Sequence, residues 1–134
     1  IYLKRENYEG YAIECAGRTE GLLILETRNH YSQLNRQARL IYIEALVTAP
    51  WNRRDIHRPP ELRGVGTILL TFARQRSLEL GYEGRVGLNA LPGAESFYEN
   101  KSNMMRFDPE PEDYPDREDK PLPYFEYPPI QFGE

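Results

Sequence analysis

Two glycines one residue apart, Gly64 and Gly66, stand directly before an apolar stretch with helical spacing, Thr67 to Leu80. A glycine turn that opens into a helix presents backbone N–H groups without partners at the positive end of the helix dipole. That arrangement holds anions, phosphate above all. Without a Cβ, each glycine also lets ligand oxygens approach the backbone. The same pattern serves elsewhere as a plain connector from strand to helix. Upstream lie Arg53, Arg54, His57 and Arg58, and Arg63 falls inside the turn itself. Guanidinium groups grip phosphate through paired hydrogen bonds, so a basic loop in an otherwise acidic chain suits a phosphorylated ligand. A solvated Arg-rich loop is the other reading. Further upstream, Glu44 interrupts the hydrophobic run Leu40 to Val47. A carboxylate in a buried strand needs a partner or a water-filled cleft, unless the residue faces the surface.

The elements that must position these groups follow from periodicity and breakers. Tyr11 to Ala16 alternates like a strand, Gly17 to Glu20 reads as a turn, and Gly21 to Thr27 reads as a second strand. The two form an antiparallel hairpin. The run Leu22 to Leu25 lacks alternation, which predicts a strand covered on both faces. Asn29 to Arg39 is a polar loop, and Leu40 to Val47 is the most hydrophobic strand and therefore central. Pro50, Pro59 and Pro60 keep the basic loop non-helical. In the helix Thr67 to Leu80, Ile68, Leu69, Phe72, Ala73 and Leu80 are the apolar positions, and Gly81 supplies the stop. Arg85 to Leu91 is a short strand, and Pro92 introduces a short helix, Ala94 to Lys101. Met104 to Phe107 and Leu122 to Tyr127 close the set as strands. The order β-β-β-α-β-α-β-β is a mixed α/β pattern, with an antiparallel first half and one β-α-β crossover.

The 134 residues fit one domain with a real core. Hydrophobic content of 40% and charged content of 28% are those of a globular chain. A net charge of −4 argues against a general nucleic-acid or anionic-membrane binder. A single cysteine, Cys15, forms no internal disulfide, which points to a reducing, cytoplasmic setting. No apolar run approaches the roughly 20 residues of a membrane helix, and no secretory signal, internal repeat or zinc-type Cys/His spacing is visible. Residues 1–10 read as a lead-in, 11–107 as the core, 108–121 as an acidic, Pro-rich loop and 122–134 as a closing strand and tail. Because the chain starts at Ile1 rather than Met, residues are expected to precede it. There is no G-x-x-x-x-G-K-[ST] motif and no three-glycine dinucleotide fingerprint. His30 and His57 sit in polar loops and Cys15 in an early strand, which gives a catalytic triad little support.

With these residues in view, the sequence resembles the GNAT superfamily of acyl-CoA-dependent N-acyltransferases. Leu40-Ile41-Tyr42-Ile43-Glu44-Ala45-Leu46-Val47 resembles the family's central strand. Glu61-Leu62-Arg63-Gly64-Val65-Gly66-Thr67 resembles its signature, Gln or Arg, two residues, Gly, one residue, then Gly or Ala. Ala94-Glu95-Ser96-Phe97-Tyr98-Glu99-Asn100-Lys101 resembles its short helix with a Phe-Tyr or Leu-Tyr pair. Ala49-Pro50-Trp51-Asn52 and the run Gly84 to Glu99 are most similar to bacterial-type members with a long loop before the signature. The chain departs from the pattern in several places. Glu61 holds the first signature position, Leu91 stands where an Asn is frequent, and Ser102-Asn103 replaces the usual Gly-Phe. The family's first strand and first two helices, which form much of its acceptor side, have no counterpart in this sequence.

The resemblance implies a twisted, mostly antiparallel sheet around a central β-α-β-α unit. It implies transfer of an acyl group, acetyl in the first instance, from coenzyme A as co-substrate to a small-molecule or protein amine. No nucleic acid, membrane or metal is expected to take part, and a homodimer is the assembly to look for. By the same resemblance the backbone of Leu62, Arg63, Gly64, Val65, Gly66 and Thr67 would hold the pyrophosphate, and Arg53, Arg54 or Arg63 the ribose phosphate. Leu46, Val47 and Thr48 would pair with the pantetheine arm, with Asn89 beside it. Glu44 would act as general base, its pKa raised by enclosure, and Tyr98 as the acid that protonates the leaving thiolate. The alternative is a GNAT-like module that binds acyl-CoA or a protein partner without catalysis.

Overall fold

The computed structural model describes residues 6–53, 59, 61–108 and 122–131. Its strands are β1 (Tyr8–Cys15), β2 (Arg18–Glu26), β3 (Ile41–Thr48), β4 (Val86–Asn89), β5 (Met105–Phe107) and β6 (Tyr124–Tyr127). Helix α1 (Val65–Glu79) connects β3 to β4, a short 3-10 turn spans Pro50–Asn52, and a single π-helical turn spans Phe97–Lys101. The order matches the β-β-β-α-β-α-β-β expectation, except that the short helix is this π turn. One six-stranded sheet runs in the order β1-β2-β3-β4-β6-β5, so β3 is interior, as its hydrophobicity predicts. Every neighbouring pair is antiparallel except β3 and β4, which are parallel. A parallel pair needs a crossover, and α1 supplies it.

Local chemistry explains the boundaries. The β1–β2 turn is Ala16-Gly17, both at positive φ (54° and 79°), while Arg18 to Glu20 already belong to β2. Two consecutive left-handed residues match the twist of a tight hairpin, so the turn is shorter than the predicted Gly17 to Glu20. Gly81, at φ 84°, ends α1.

Helix α1 lays Val65, Leu69, Leu70 and Ala73 on one face of the sheet. There they meet Leu23, Leu25, Ile41, Ile43, Val86, Leu88 and Phe125 in a single core. Gly21 makes the close approach feasible, because a Cβ there would lie 2.7 Å from Val65. The double coverage predicted for β2 is not observed. Leu23 and Leu25 are buried, but Leu22 is 46% exposed, because it points to the face away from α1.

That second face is polar where it is buried. Glu26 accepts hydrogen bonds from Asn7 Nδ2 (2.9 Å) and from the N–H groups of Arg28 (3.0 Å) and Asn29 (2.8 Å), and it pairs with His30 Nδ1 (2.7 Å). The His30 ring stacks on Tyr42 at 4.1 Å. Glu126 accepts from the Ser32 hydroxyl, the Gln33 N–H (2.9 Å) and the Tyr124 hydroxyl (2.9 Å). Two buried carboxylates thus tie the loop after β2 onto the sheet, each desolvated charge being met by several donors.

Two expectations follow. A Cβ on Gly87 would collide with the Tyr124 hydroxyl, which Glu126 holds in place. Gly87→Ala should therefore cost about 1–3 kcal/mol of stability, as overpacking does, read from urea unfolding. The second concerns acid. Burial pushes the Glu26 pKa up, but the hydrogen bonds from Asn7, His30, Arg28 and Asn29 outweigh it and hold the carboxyl below its ordinary 4.5. Glu9 is held low mainly by its hydrogen bond from Arg76. A folded-state pKa below the unfolded one stabilises fully above the unfolded value and is lost as pH falls through the folded value. Stability should therefore hold from neutrality down to about pH 4.5 and fall below it. Glu26→Gln should be less stable at neutral pH and show a shallower acid limb, with unfolding measured at several pH values.

Candidate functional site

The sheet opens where β3 and β4 part. They pair only at Ile41 with Val86 and Tyr42 with Gly87, yet β3 continues to Thr48 and β4 to Asn89. A bulge in β3 prepares this. Ile43 pairs with Leu25 and Ala45 with Ile24, which leaves Glu44 as the extra residue. A bulge bends its strand and reverses which residues face which neighbour. Ahead of it the Ile41 N–H bonds to Arg85 O, on the β4 side (3.2 Å). Beyond it the Ala49 N–H bonds to Glu20 O on β2 (3.0 Å), and Val47 lies opposite Leu22. By antiparallel alternation Val47 also bonds towards β2, while the backbone groups of Leu46 and Thr48 point into the opening. Of Leu46, Val47 and Thr48, the first and last turn their backbone groups into the opening and Val47 turns its own towards β2. The Tyr42 hydroxyl donates to Asn89 Oδ1 across the parting strands (2.6 Å).

The turn before α1 has the predicted character, with one correction. Gly64 adopts φ 79° and caps the helix without a side-chain hydrogen bond, and the first turn holds no acidic residue. The first helical bond is Ile68 N–H to Gly64 O (2.9 Å). Among the described residues no acceptor meets the N–H groups of Arg63, Gly64, Val65, Gly66 or Thr67. No described residue lies within 4 Å of where a Gly64 Cβ would be, so among the described residues the space over the turn is open. The Leu62 N–H, also expected to face an anion, is already taken by Asn52 Oδ1 (2.9 Å).

That bond belongs to an anchor the sequence reading missed. Glu20, 2% exposed, is the extra residue of a second bulge, since Ile13 pairs with Gly21 and Glu14 with Thr19. Its Oε1 accepts from Asn52 Nδ2 (2.7 Å) and Trp51 Nε1 (2.9 Å), and its Oε2 accepts from Arg18 Nε (3.2 Å). The hydrogen bonds from Asn52 and Trp51 hold its pKa below the usual carboxylate value. The Arg18 guanidinium lies over the Trp51 ring at 4.2 Å and reaches Glu61 at 3.4 Å. The hint in the sequence is the pair Trp51-Asn52 directly after Pro50.

Tyr98 is buried, at 6% exposure, with its ring against Phe97 (5.1 Å) and Phe125 (5.8 Å). Burial pushes its pKa up to about 12. Its hydroxyl meets no protein partner among the described residues and is not among the fully enclosed polar atoms. Phe97 packs on the helix start, since a Gly66 Cβ would lie 3.0 Å from its ring. The fold therefore brings Gly66, Phe97 and Tyr98 together. Glu44 does not have the enclosure expected of it. It is exposed, because the bulge turns it out of the core, and its side chain makes no hydrogen bond or ion pair with the described residues. It lies close enough to raise the Tyr42 pKa, which burial raises first. Arg63 is exposed beside the open N–H groups, and Arg53 is exposed at the end of the 3-10 turn. Arg54 lies outside the described residues, as do His57 and Arg58.

No family model matches the sequence, and no curated protein matches it. Solved structures do match in fold. A protein assigned as a streptothricin acetyltransferase from Bacillus anthracis, in complex with acetyl coenzyme A, superposes with a TM-score of 0.59 at 15% identity, over 92% of this chain and 62% of that one. The ribosomal-protein-S18-alanine N-acetyltransferase of Escherichia coli gives 0.58 at 15% identity, over 98% and 75% of the two chains. Tetrahymena GCN5 gives 0.56 at 12% identity, over 96% and 74%. This chain thus spans less than two thirds of the length of the first of them. The chain shares with these acetyltransferases a mixed α/β fold built on one mostly antiparallel sheet, the fold that the resemblance in its sequence implies.

Proposed function

We propose that the protein is an acyl-CoA-dependent N-acyltransferase acting on a small-molecule or protein amine. The observation that carries this reading is the row of open N–H groups from Arg63 to Thr67 at the start of α1, next to the parted ends of β3 and β4. These donors and the helix dipole suit a pyrophosphate, and Arg63 and the Arg53–Arg54 segment would add charge for a ribose phosphate. The backbone of Leu46 and Thr48 would pair with an amide-bearing arm laid in the opening. Acyl-CoA supplies an activated thioester carbonyl. The amine forms the new C–N bond as the C–S bond breaks.

Two side chains would move the protons. Glu44, on the bulge and open to water, would take the proton of the attacking ammonium, directly or through a water. Tyr98, whose burial keeps the phenol protonated at neutral pH, would give its proton to the departing thiolate. The exposure of Glu44 and the packing of Tyr98 in the core also support a second reading, an acyl-CoA-binding module without catalysis, and kinetics separate the two.

Gly64→Val puts a β-branched residue at a left-handed position and should turn the neighbouring N–H groups away. Its affinity for coenzyme A should fall about tenfold or more while the fold survives. Equal affinities in calorimetry would remove the phosphate assignment. For turnover, Glu44→Gln should cut the rate of thiol release by roughly 10²-fold at neutral pH with little change in cofactor affinity. Tyr98→Phe, which keeps the ring packing, should also slow turnover at near wild-type stability. If both variants run at full rate, the side-chain roles fall and positioning alone carries the reaction. A wild type that binds coenzyme A but releases no thiol with any amine would favour the binding module.

A further inference from the structure

We propose that Glu20 and Asn52 are positioning residues for the phosphate turn, acting through the N–H of Leu62; this rests on the coenzyme A reading above. The contacts form a continuous path. The Asn52 amide is held from one side, its Nδ2 donating to Glu20 Oε1 (2.7 Å) and towards the Glu20 carbonyl (3.3 Å). This fixes the side chain so that Oδ1 faces the chain ten residues further on, where it accepts the Leu62 N–H (2.9 Å). Alongside, the Glu61 N–H donates to Trp51 O (2.9 Å), and the Trp51 indole donates to the same Glu20 oxygen (2.9 Å). Arg18 closes the set over the Trp51 ring and reaches Glu61.

The consequence lies in what is satisfied and what is left open. Leu62 is the last residue before the turn whose N–H is consumed, and the next five N–H groups have no acceptor among the described residues. A turn with that many unmet donors has no internal hydrogen bonds to define it. Its direction is set where it leaves Leu62 and where it joins α1 at Ile68 N–H to Gly64 O. Helix packing holds the second point, and a buried carboxylate on a different strand holds the first. A ligand's phosphate oxygens then meet donors already aimed, so less ordering is needed on binding.

The test compares coenzyme A with pantetheine, which lacks the pyrophosphate. Glu20→Ala and Asn52→Ala should bind coenzyme A roughly tenfold more weakly, about one net hydrogen bond's worth, with pantetheine affinity unchanged. With an amine acceptor the KM for acyl-CoA should rise while kcat stays near wild type. Glu20→Gln keeps one acceptor oxygen for Trp51 and Asn52 and should recover most of the lost affinity. Equal coenzyme A affinity in wild type and the alanine variants overturns the proposal, as does a parallel loss for both ligands. Should the alanine variants fail to fold, Asn52→Ser, whose shorter side chain no longer reaches the Leu62 N–H, decides by the same comparison. A wild type that binds no coenzyme A sinks the cofactor reading instead. Titration of inorganic pyrophosphate against the Gly64 and Gly66 amide signals, in wild type and Asn52→Ser, then still tests the turn: a weaker response in the variant supports the proposal, and an identical one overturns it.

Discussion

A carboxylate held away from water organises the functional end of this molecule. Glu20 is charged and nearly inaccessible, a state that stands only if donors replace its lost hydration. Asn52, Trp51 and Arg18 do so, and the first two belong to the short turn after β3, which has no buried residue of its own. Satisfying Glu20 holds Trp51 and Asn52 against β2, and Asn52 in turn holds the Leu62 N–H just ahead of α1.

The same device recurs on the opposite side of the sheet. Glu26 and Glu126 are buried and draw the N–H groups of Arg28, Asn29 and Gln33, together with the side chains of Asn7, His30, Ser32 and Tyr124, onto a face that no helix covers among the described residues. On the helix-covered face apolar contact does the work, from Leu23 through Ile43 to Phe125. The sheet therefore has one face held by hydrophobic burial, which is non-directional, and one held by charge-assisted hydrogen bonds, which specify geometry. The geometric constraint falls where loops have to be placed, and the non-directional one where a helix only has to be pressed down.

Two bulges divide the labour further. The one at Glu20 turns a carboxylate inward beneath a loop, and the one at Glu44 turns a carboxylate outward beside the parting strands. A bulge inserts one residue and so reverses alternation beyond it. This reversal lets the backbone of Leu46 and Thr48 face the opening although Ile41, of the other parity, faces β4 earlier in the same strand. The proposed acyl-transfer site depends on this reversal, because an opening lined by already paired backbone would have nothing to offer an amide-bearing arm.

What the sequence by itself determined were the features set by local composition. The order of elements, the interior place of β3, the helix behind Gly64 and Gly66 and the unmet donors at its start all follow from periodicity, glycine conformations and capping, which act within a few residues. The short helix at Phe97 and Tyr98 was legible as an element and as part of a motif. Its π-helical form and the burial of Tyr98 against Phe125 were not, since they depend on a strand far along the chain. Only the tertiary structure decided the fate of the carboxylates. Glu44, which the sequence left either buried or facing the surface, is exposed, while Glu20, read as a turn residue, and Glu26, which the sequence does not single out, are buried. For Glu20 and Glu44 the reason is one extra residue in a strand, whose place is set by pairing with another strand; for Glu26 it is the following loop, which folds back to supply its donors. The Leu62 N–H was likewise counted as free from sequence and is bound, because its acceptor on Asn52 is presented only once Glu20, from another strand, has fixed the amide.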